Sequence, residues 1–326
     1  MTVLVGPRPA CTPTTAVVLP GMAPSTWHAV GAYMTTSAEV AEAARVADRA
    51  VGYDIRAAFR DRPVGSYDAS AQLAFLLNTI ALGRVVLEQG TDPDDVVLVP
   101  SSFGAWAACV LSGVADLADV ARAVQTLASR EQELSESSLA DLATVFFCRL
   151  DGGAVAELVG SMKANGHHAE PALDLDHDLV GYTVDNVEQM RAGVEARGGI
   201  WLHEMRPAVH SVRSAELADL AHDMVSRWDL GPSRFPVLND HDGTSTVEPE
   251  VLVGHVSAQY VRTVDWPRTV SVLVSTGIER AVVAGPASLF NKVLRRHLPT
   301  VAVTPDDDGR IVSRSLRRAE PPDEFS

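Results

Sequence analysis

A serine at the corner where an apolar strand turns into a helix is placed for nucleophilic attack. Ser102 lies in such a string, Val96-Val97-Leu98-Val99-Pro100-Ser101-Ser102-Phe103-Gly104-Ala105-Trp106. A strand-turn-helix corner lifts one hydroxyl clear of the sheet and aims the next backbone N–H, here from Phe103, at the oxyanion that forms when the hydroxyl attacks a carbonyl. Gly104 suits so tight a corner, but Pro100 stands where a second glycine is usual. Taken alone, the string reads equally as a serine-rich turn. Two other strings carry polar chemistry: Asp174, Asp176, His177 and Asp178, and Asn239-Asp240-His241-Asp242-Gly243. Asp and Asn favour turns for their own hydrogen-bonding reasons, so both strings read as turns, and no metal site is expected.

The elements around Ser102 follow from periodicity. Thr14 to Leu19 reads as a first core strand, too short for a signal or membrane segment, and Pro20-Gly21-Met22-Ala23-Pro24 as a loop. Ser37 to Ala50 puts Val40, Ala43, Ala44 and Ala47 on one side of a helix, and Ala71 to Gly90 is apolar enough for a buried one. After Ser102 one helix ends near Gly113, and the next carries Leu117, Val120, Ala121, Val124, Leu127 and Ala128 on one face. Alternating strands and helices imply a parallel sheet covered by helices. The rhythm then changes. A strand at Thr144 to Leu150 and a helix bearing Val155, Leu158, Val159 and Met162 lead to strands at Ala172 to Asp176 and Leu179 to Val184. A helix capped by Asp185 and closed by Gly198-Gly199 leads to a strand at Ile200 to His203, which gives the order βαββαβ of a ferredoxin-like unit.

Composition narrows the function classes. With 326 residues and 46% apolar content, the chain can bury a core large enough for a main domain carrying a smaller one. Its 27 basic and 42 acidic residues give a net charge of -15, against general affinity for nucleic acid or an anionic membrane. Cys11, Cys109 and Cys148 lack metal-ligand spacing and read as reduced thiols, in keeping with a cytoplasmic protein.

With the elbow, the insertion and the return in place, the chain resembles the malonyl-CoA:carrier-protein acyltransferases, including the acyltransferase domains of polyketide synthases, over nearly its whole length. The resemblance implies an α/β fold: a large α/β-hydrolase-like domain with a parallel sheet, over residues 1–137 and 206–305, and a small ferredoxin-like insert at 138–205. The tail, 306–326, is expected to be flexible. In that family a Ser in a Gly-His-Ser-x-Gly elbow is acylated and a His just after the insert acts as base. These roles fall to Ser102 and to His210 in Pro207-Ala208-Val209-His210-Ser211. Gln72, before the elbow, and Gln259-Tyr260-Val261-Arg262-Thr263-Val264-Asp265-Trp266 also fit, and the backbone carbonyl of Gln259 would orient His210. Ala284-Gly285-Pro286, followed by a helix ending Leu294-Arg295-Arg296, completes the pattern.

Departures from the pattern bear on substrate. Malonyl-type members hold the substrate carboxylate with an Arg on the second helix after the elbow, where this chain has Leu127. Burying that carboxylate without a partner costs several kcal/mol, with Arg130, one turn on, as the residue that could restore the clamp. Val209 replaces a Phe and widens the pocket formed with Gln72, Leu127 and Arg130. Met22 replaces a glutamine near the oxyanion hole that Phe103 helps to form, while Ala105 and Ser101 thin the polar surroundings. On these grounds the chain is expected to resemble the discrete aminoacyl and dipeptidyl transferases of macrolactam polyketide biosynthesis. It would work by ping-pong through acyl-Ser102, taking its acyl group from a discrete donor carrier protein to a loading-module carrier. Malonyl-type transfer, hydrolysis of acyl-carrier proteins and a non-enzymatic docking role stand as alternatives. No bound cofactor is expected, the carrier's phosphopantetheine arm presenting the acyl group. Arg149, Arg206, Arg295 and Arg296 are the candidate contacts for an acidic carrier protein, and a monomer is the expected state.

Overall fold

The computed structural model describes residues 13–23, 25–63, 67–88, 92–176, 179–286 and 290–316. The chain runs β1 (Thr15–Leu19), α1 (Trp27–Thr36), α2 (Ala38–Val51), α3 (Ile55–Arg60), α4 (Ala69–Glu88), β2 (Val96–Pro100), α5 (Gly104–Ser112) and α6 (Leu117–Ser135). It then enters β3 (Ala143–Cys148), α7 (Gly152–Ala164), β4 (Ala169–Asp176), β5 (Leu179–Val184), α8 (Val187–Ala196) and β6 (Ile200–Met205). It returns through α9 (Ala215–Val225), β7 (Val237–Leu238), β8 (Ser245–Thr246), α10 (Pro249–Ala258), β9 (Val264–Asp265) and α11 (Trp266–Ser275). Last come β10 (Arg280–Ala284), α12 (Phe290–Leu294), β11 (Thr300–Pro305) and β12 (Ile311–Leu316).

The larger sheet has the order β12-β11-β10-β1-β2-β7-β8, with parallel pairing from β11 through β7 and an antiparallel strand at each edge. Its central strand, β1, is buried along its length, as expected where helices cover both faces. α4 is the one helix among the described residues long and apolar enough to cross a membrane, yet 78% of its apolar window lies inside the fold. It is a core helix, packed against α2, α5 and α6. The Ser37 side chain caps α2 by accepting from Val40 N–H, and Gly52 at φ 87 closes it. Val40, Ala43, Ala44 and Ala47 are its buried stripe, as their spacing predicts.

The second sheet has the order β6-β3-β5-β4-β9. Its first four strands come from the βαββαβ segment and pair antiparallel. The fifth, β9, belongs to the returning chain and pairs parallel with β4, Leu173 opposite Val264 and Asp174 opposite Asp265. That short pairing ties residues 262–265 to the inserted sheet. Two sequence expectations need correction. α8 is capped by Asn186, whose side chain accepts from Gln189 N–H at 3.0 Å, because Asp185 is turned toward His167. The tail is ordered as far as β12, since the β11 edge offers an unpaired ladder that Ile311–Leu316 fills; residues 317–326, like Cys11, His177 and Asp178, lie outside the described residues.

β2 leaves the sheet in register with β1, Leu19 opposite Pro100, and Ser101 N–H still donates to Leu19 O at 2.9 Å. Ser102 therefore emerges at the carboxyl end of the central strands, where open α/β sheets place their ligands. Gly104 is required there, because a Cβ at this position would lie 2.2 Å from Leu19 O. Replacing Gly104 by Ala is expected to cost about 1–3 kcal/mol of stability, read as a lowered denaturation midpoint, whereas Ala at the neighbouring position 105 is already native.

Candidate active site

Ser102 lies between the buried end of β2 and the first turn of α5, at φ 47. This left-handed conformation costs a non-glycine residue about 1–2 kcal/mol. It turns the side chain out of the sheet, and Ser102 Oγ meets His210 Nε2 at 2.7 Å. His210 Nδ1 lies 2.9 Å from Arg262 O. A carbonyl can only accept, so Nδ1 carries the proton and Nε2 is left to accept from the serine hydroxyl. His210 is also left-handed, at φ 58, and almost wholly buried. Burial, reinforced by the neighbouring His241, pushes its pKa down to about 4 against smaller opposing effects of the Arg262 and Gln259 carbonyls. The expected orienting carbonyl was that of Gln259. The structure gives the first place to Arg262, because the turn after α10 folds both 261 and 262 back onto Ala258 O and swings the later carbonyl toward the imidazole.

Three features support this pair from below. Ser102 N–H donates to the buried Asp240 carboxylate at 2.7 Å. Asp240 in turn lies 3.5 Å from His241 Nε2, whose Nδ1 donates to Thr263 O at 3.0 Å. Consecutive carbonyls, at 262 and 263, thus hold two imidazoles. Burial raises the Asp240 pKa, countered by His241 and by the Ser102 N–H. The Val209 N–H donates to Thr144 Oγ1 on β3 at 3.3 Å, so the inserted sheet also steadies the His210 loop. Finally, the N-terminus of α5 points at the nucleophile. Gly104, Ala105 and Trp106 N–H groups turn back onto the residues three before them, and Phe103 N–H has no acceptor among the described residues. An unpaired N–H at a helix start, beside a nucleophile, is an oxyanion donor.

The pair opens into a cavity of about 540 Å³ lined mainly by apolar side chains, among them Met22, Trp106, Phe146, Leu202, Met205 and Phe290. Its polar lining includes Gln72, Glu131, Tyr67, His203 and Gln259. The Tyr67 hydroxyl and His203 Nε2 lie 2.8 Å apart. Of the residues expected to form the substrate pocket, Val209 and Gln72 line this cavity, while Leu127 and Arg130 do not. Leu127 is fully buried in the core beneath, and Arg130 points to the outer surface, where it pairs with Glu133 and Glu216. The expected escape route through Arg130 is therefore closed: its neighbour Glu131 lines the cavity, and one residue along a helix turns a side chain through about 100°. Among the described residues no Lys or Arg lines the cavity.

Sequence reasoning missed Glu131, Asp240 and Arg262. Glu131 falls four residues after Leu127 on the buried stripe of α6, and a carboxylate in an apolar stripe was the available signal. Asp240 was read as part of a turn, which it is, but the turn lies beneath the elbow. Of the basic residues expected at a carrier protein, Arg149 is exposed at the end of β3, while Arg206 donates to Ala140 O and Leu142 O at 3.2 and 2.9 Å. Arg296 pairs with Asp176, and Arg295 is half-buried. No group of three or more potential metal ligands occurs among the described residues.

The likeness to solved structures extends over almost the whole chain. A malonyl-transacylase solved with its type II polyketide synthase acyl-carrier protein superposes with a TM-score of 0.78 at 22% identity, covering 90% of this chain and 97% of that one. The acyl carrier protein S-malonyltransferase of Vibrio cholerae gives 0.75 at 23%, covering 89% and 97%. The fold is that of the malonyl transacylases. The malonyl CoA-acyl carrier protein transacylase of Escherichia coli K12 is 23% identical over 310 residues, 92% of this chain and 98% of the relative. That of Salmonella typhimurium is 22% identical over 279 residues, 83% and 88%. No family model matches. All four curated relatives that match are malonyl transacylases. This corrects the expectation of an aminoacyl or dipeptidyl transferase working between two carrier proteins. That expectation rested on Leu127 and Val209, and a residue lost from a clamp shows only that a carboxylate must be held differently. The α/β fold with a smaller inserted sheet is as expected, and the protein is an enzyme whose Ser-His apparatus suits acyl transfer.

Because His210 stays neutral down to about pH 4, it can act as a base across the whole neutral range. Acylation of Ser102 by an uncharged thioester is expected to stay level from pH 8 to about pH 5 and to fall only near pH 4, rather than at the ordinary histidine value of about 6.5. Single-turnover rates across that range check this.

Proposed function

We propose that this protein moves an acyl group from a thioester to Ser102 and then to the phosphopantetheine thiol of an acyl carrier protein, with malonyl thioester as donor. The 2.7 Å contact of Ser102 Oγ with His210 Nε2, in the wall of a largely apolar cavity, carries this reading. The relatives support the donor and the carrier. In the first half-reaction the Oγ–H proton passes to Nε2 as Oγ bonds the thioester carbon. The tetrahedral oxyanion is met by Phe103 N–H and by the loop at Met22. Its collapse breaks the C–S bond, and the imidazolium returns the proton to the leaving thiolate. The carrier's thiol then reverses these steps. Asp240 and Arg262 act as positioning residues for the serine and the imidazole.

Carrier docking falls to the rim of the cavity. Of the four arginines expected to meet a carrier, Arg149 and Arg295 are the ones assigned to it, because Arg206 and Arg296 already hold partners within the fold. The apolar wall favours transfer over hydrolysis, because it withholds water from the acyl-serine.

Intact-protein mass spectrometry after mixing with malonyl-CoA is expected to show one acyl adduct on the wild type and none on Ser102→Ala. His210→Ala should acylate more slowly by roughly 10²–10⁴-fold. An adduct that persists in Ser102→Ala, or none on the wild type with any acyl-CoA, would overturn the reading.

A further inference from the structure

Among the described residues one carboxyl group lines the acyl cavity, and its chemistry is unusual for a site offered an anionic substrate. Glu131 is 6% exposed and lines the cavity from α6. Gln72 Nε2, on α4, donates to its Oε2 at 2.5 Å and also to Tyr67 O at 3.0 Å. The other oxygen, Oε1, has no hydrogen-bond partner among the described residues, although it is not sealed from the cavity. The titratable groups facing this corner are Tyr260, after α10, Tyr67, before α4, His203 on β6, and His210 itself. None is a strong cation, and Arg130, the neighbour on α6, is turned outward onto Glu216 of α9 and Glu133. Arg84, farther along α4, faces Glu42 on α2.

We infer that Glu131, aligned by Gln72, is the specificity-determining residue that reads the far end of the acyl group, donating a hydrogen bond to a substrate carboxylate when neutral and repelling it when ionised. The inference rests on the acyl-transfer reading and adds to it the way this pocket holds an anionic acyl group without a cation. A neutral carboxyl has one O–H to give, and a carboxylate is its best acceptor. Two ionised carboxyls in contact within one apolar cavity strongly disfavour each other, as in sites where two carboxyls share a proton. Burial raises Glu131 to about 7, against the lowering effect of the Gln72 hydrogen bond. Loading of an anionic acyl group therefore requires a proton on Glu131, drawn from solvent above that pH, whereas loading of an uncharged acyl group does not.

The test is a competition between malonyl-CoA and butyryl-CoA for Ser102 across pH 6–9, read by mass spectrometry as the ratio of the two adducts. Taking the ratio cancels the titration of His210. The wild-type ratio is expected to be level below about pH 7 and to fall roughly tenfold per pH unit above it. Glu131→Gln, which keeps a donor and cannot ionise, should make the ratio level throughout. Gln72→Met, which removes the hydrogen bond that lowers Glu131, should move the break to higher pH. A wild-type ratio independent of pH, or a break that survives in Glu131→Gln, would overturn the inference while leaving acyl transfer intact. Absence of both adducts would overturn the acyl-transfer reading itself, and this inference with it.

Discussion

The hydrogen bond between Ser102 and His210 joins two residues that both occupy left-handed backbone, at φ 47 and φ 58. Neither is a glycine, so each conformation persists only because its surroundings over-determine it. At Ser102 the constraints are the buried end of β2, the close approach of Gly104 to Leu19 O, and the Asp240 carboxylate on its N–H. At His210 they are the Arg262 carbonyl on Nδ1, Ser211 N–H on Tyr260 O, and Thr144 beneath Val209. Six separate stretches of chain, around Leu19, Ser102, Thr144, His210, Asp240 and Arg262, therefore converge on one 2.7 Å contact.

The second sheet has a part in this beyond forming one wall of the cavity. β9 pairs with β4 over only two residues, but those residues follow directly on the carbonyls at 262 and 263 that hold His210 and His241. Asp265 N–H also donates to Asp240 O at 2.8 Å, which links the same segment to the turn under the elbow. The inserted strands, the base and the nucleophile are thus mechanically coupled through a few backbone hydrogen bonds, each individually modest.

Electrostatically the site is quiet where the relatives' substrate name leads one to expect a cation. Its polar groups are neutral or easily made so: an imidazole held uncharged by burial, a carboxyl lifted toward neutrality, and tyrosine hydroxyls raised further from ionisation. In so apolar a cavity charge is costly unless paired, and hydrogen bonds from neutral donors are the means left for orienting a thioester and its acyl chain.

The α/β order, the inserted βαββαβ run and the elbow at Ser102 were legible in the sequence, because apolar periodicity and turn residues report local conformation directly. The buried face of α6 was legible too, including Leu127, but not that Glu131 on that face opens into the cavity while Arg130 turns out to Glu216. Nor could spacing tell that Asp240, 138 residues after Ser102, would accept its N–H, or that Arg262 rather than Gln259 would face His210 most closely. Sequence alone determined which residues could do chemistry and which elements carry them, since these depend on residue type and near neighbours. The tertiary structure decided which of them share one cavity and in what protonation state, because burial and long-range contact arise only when distant segments pack together.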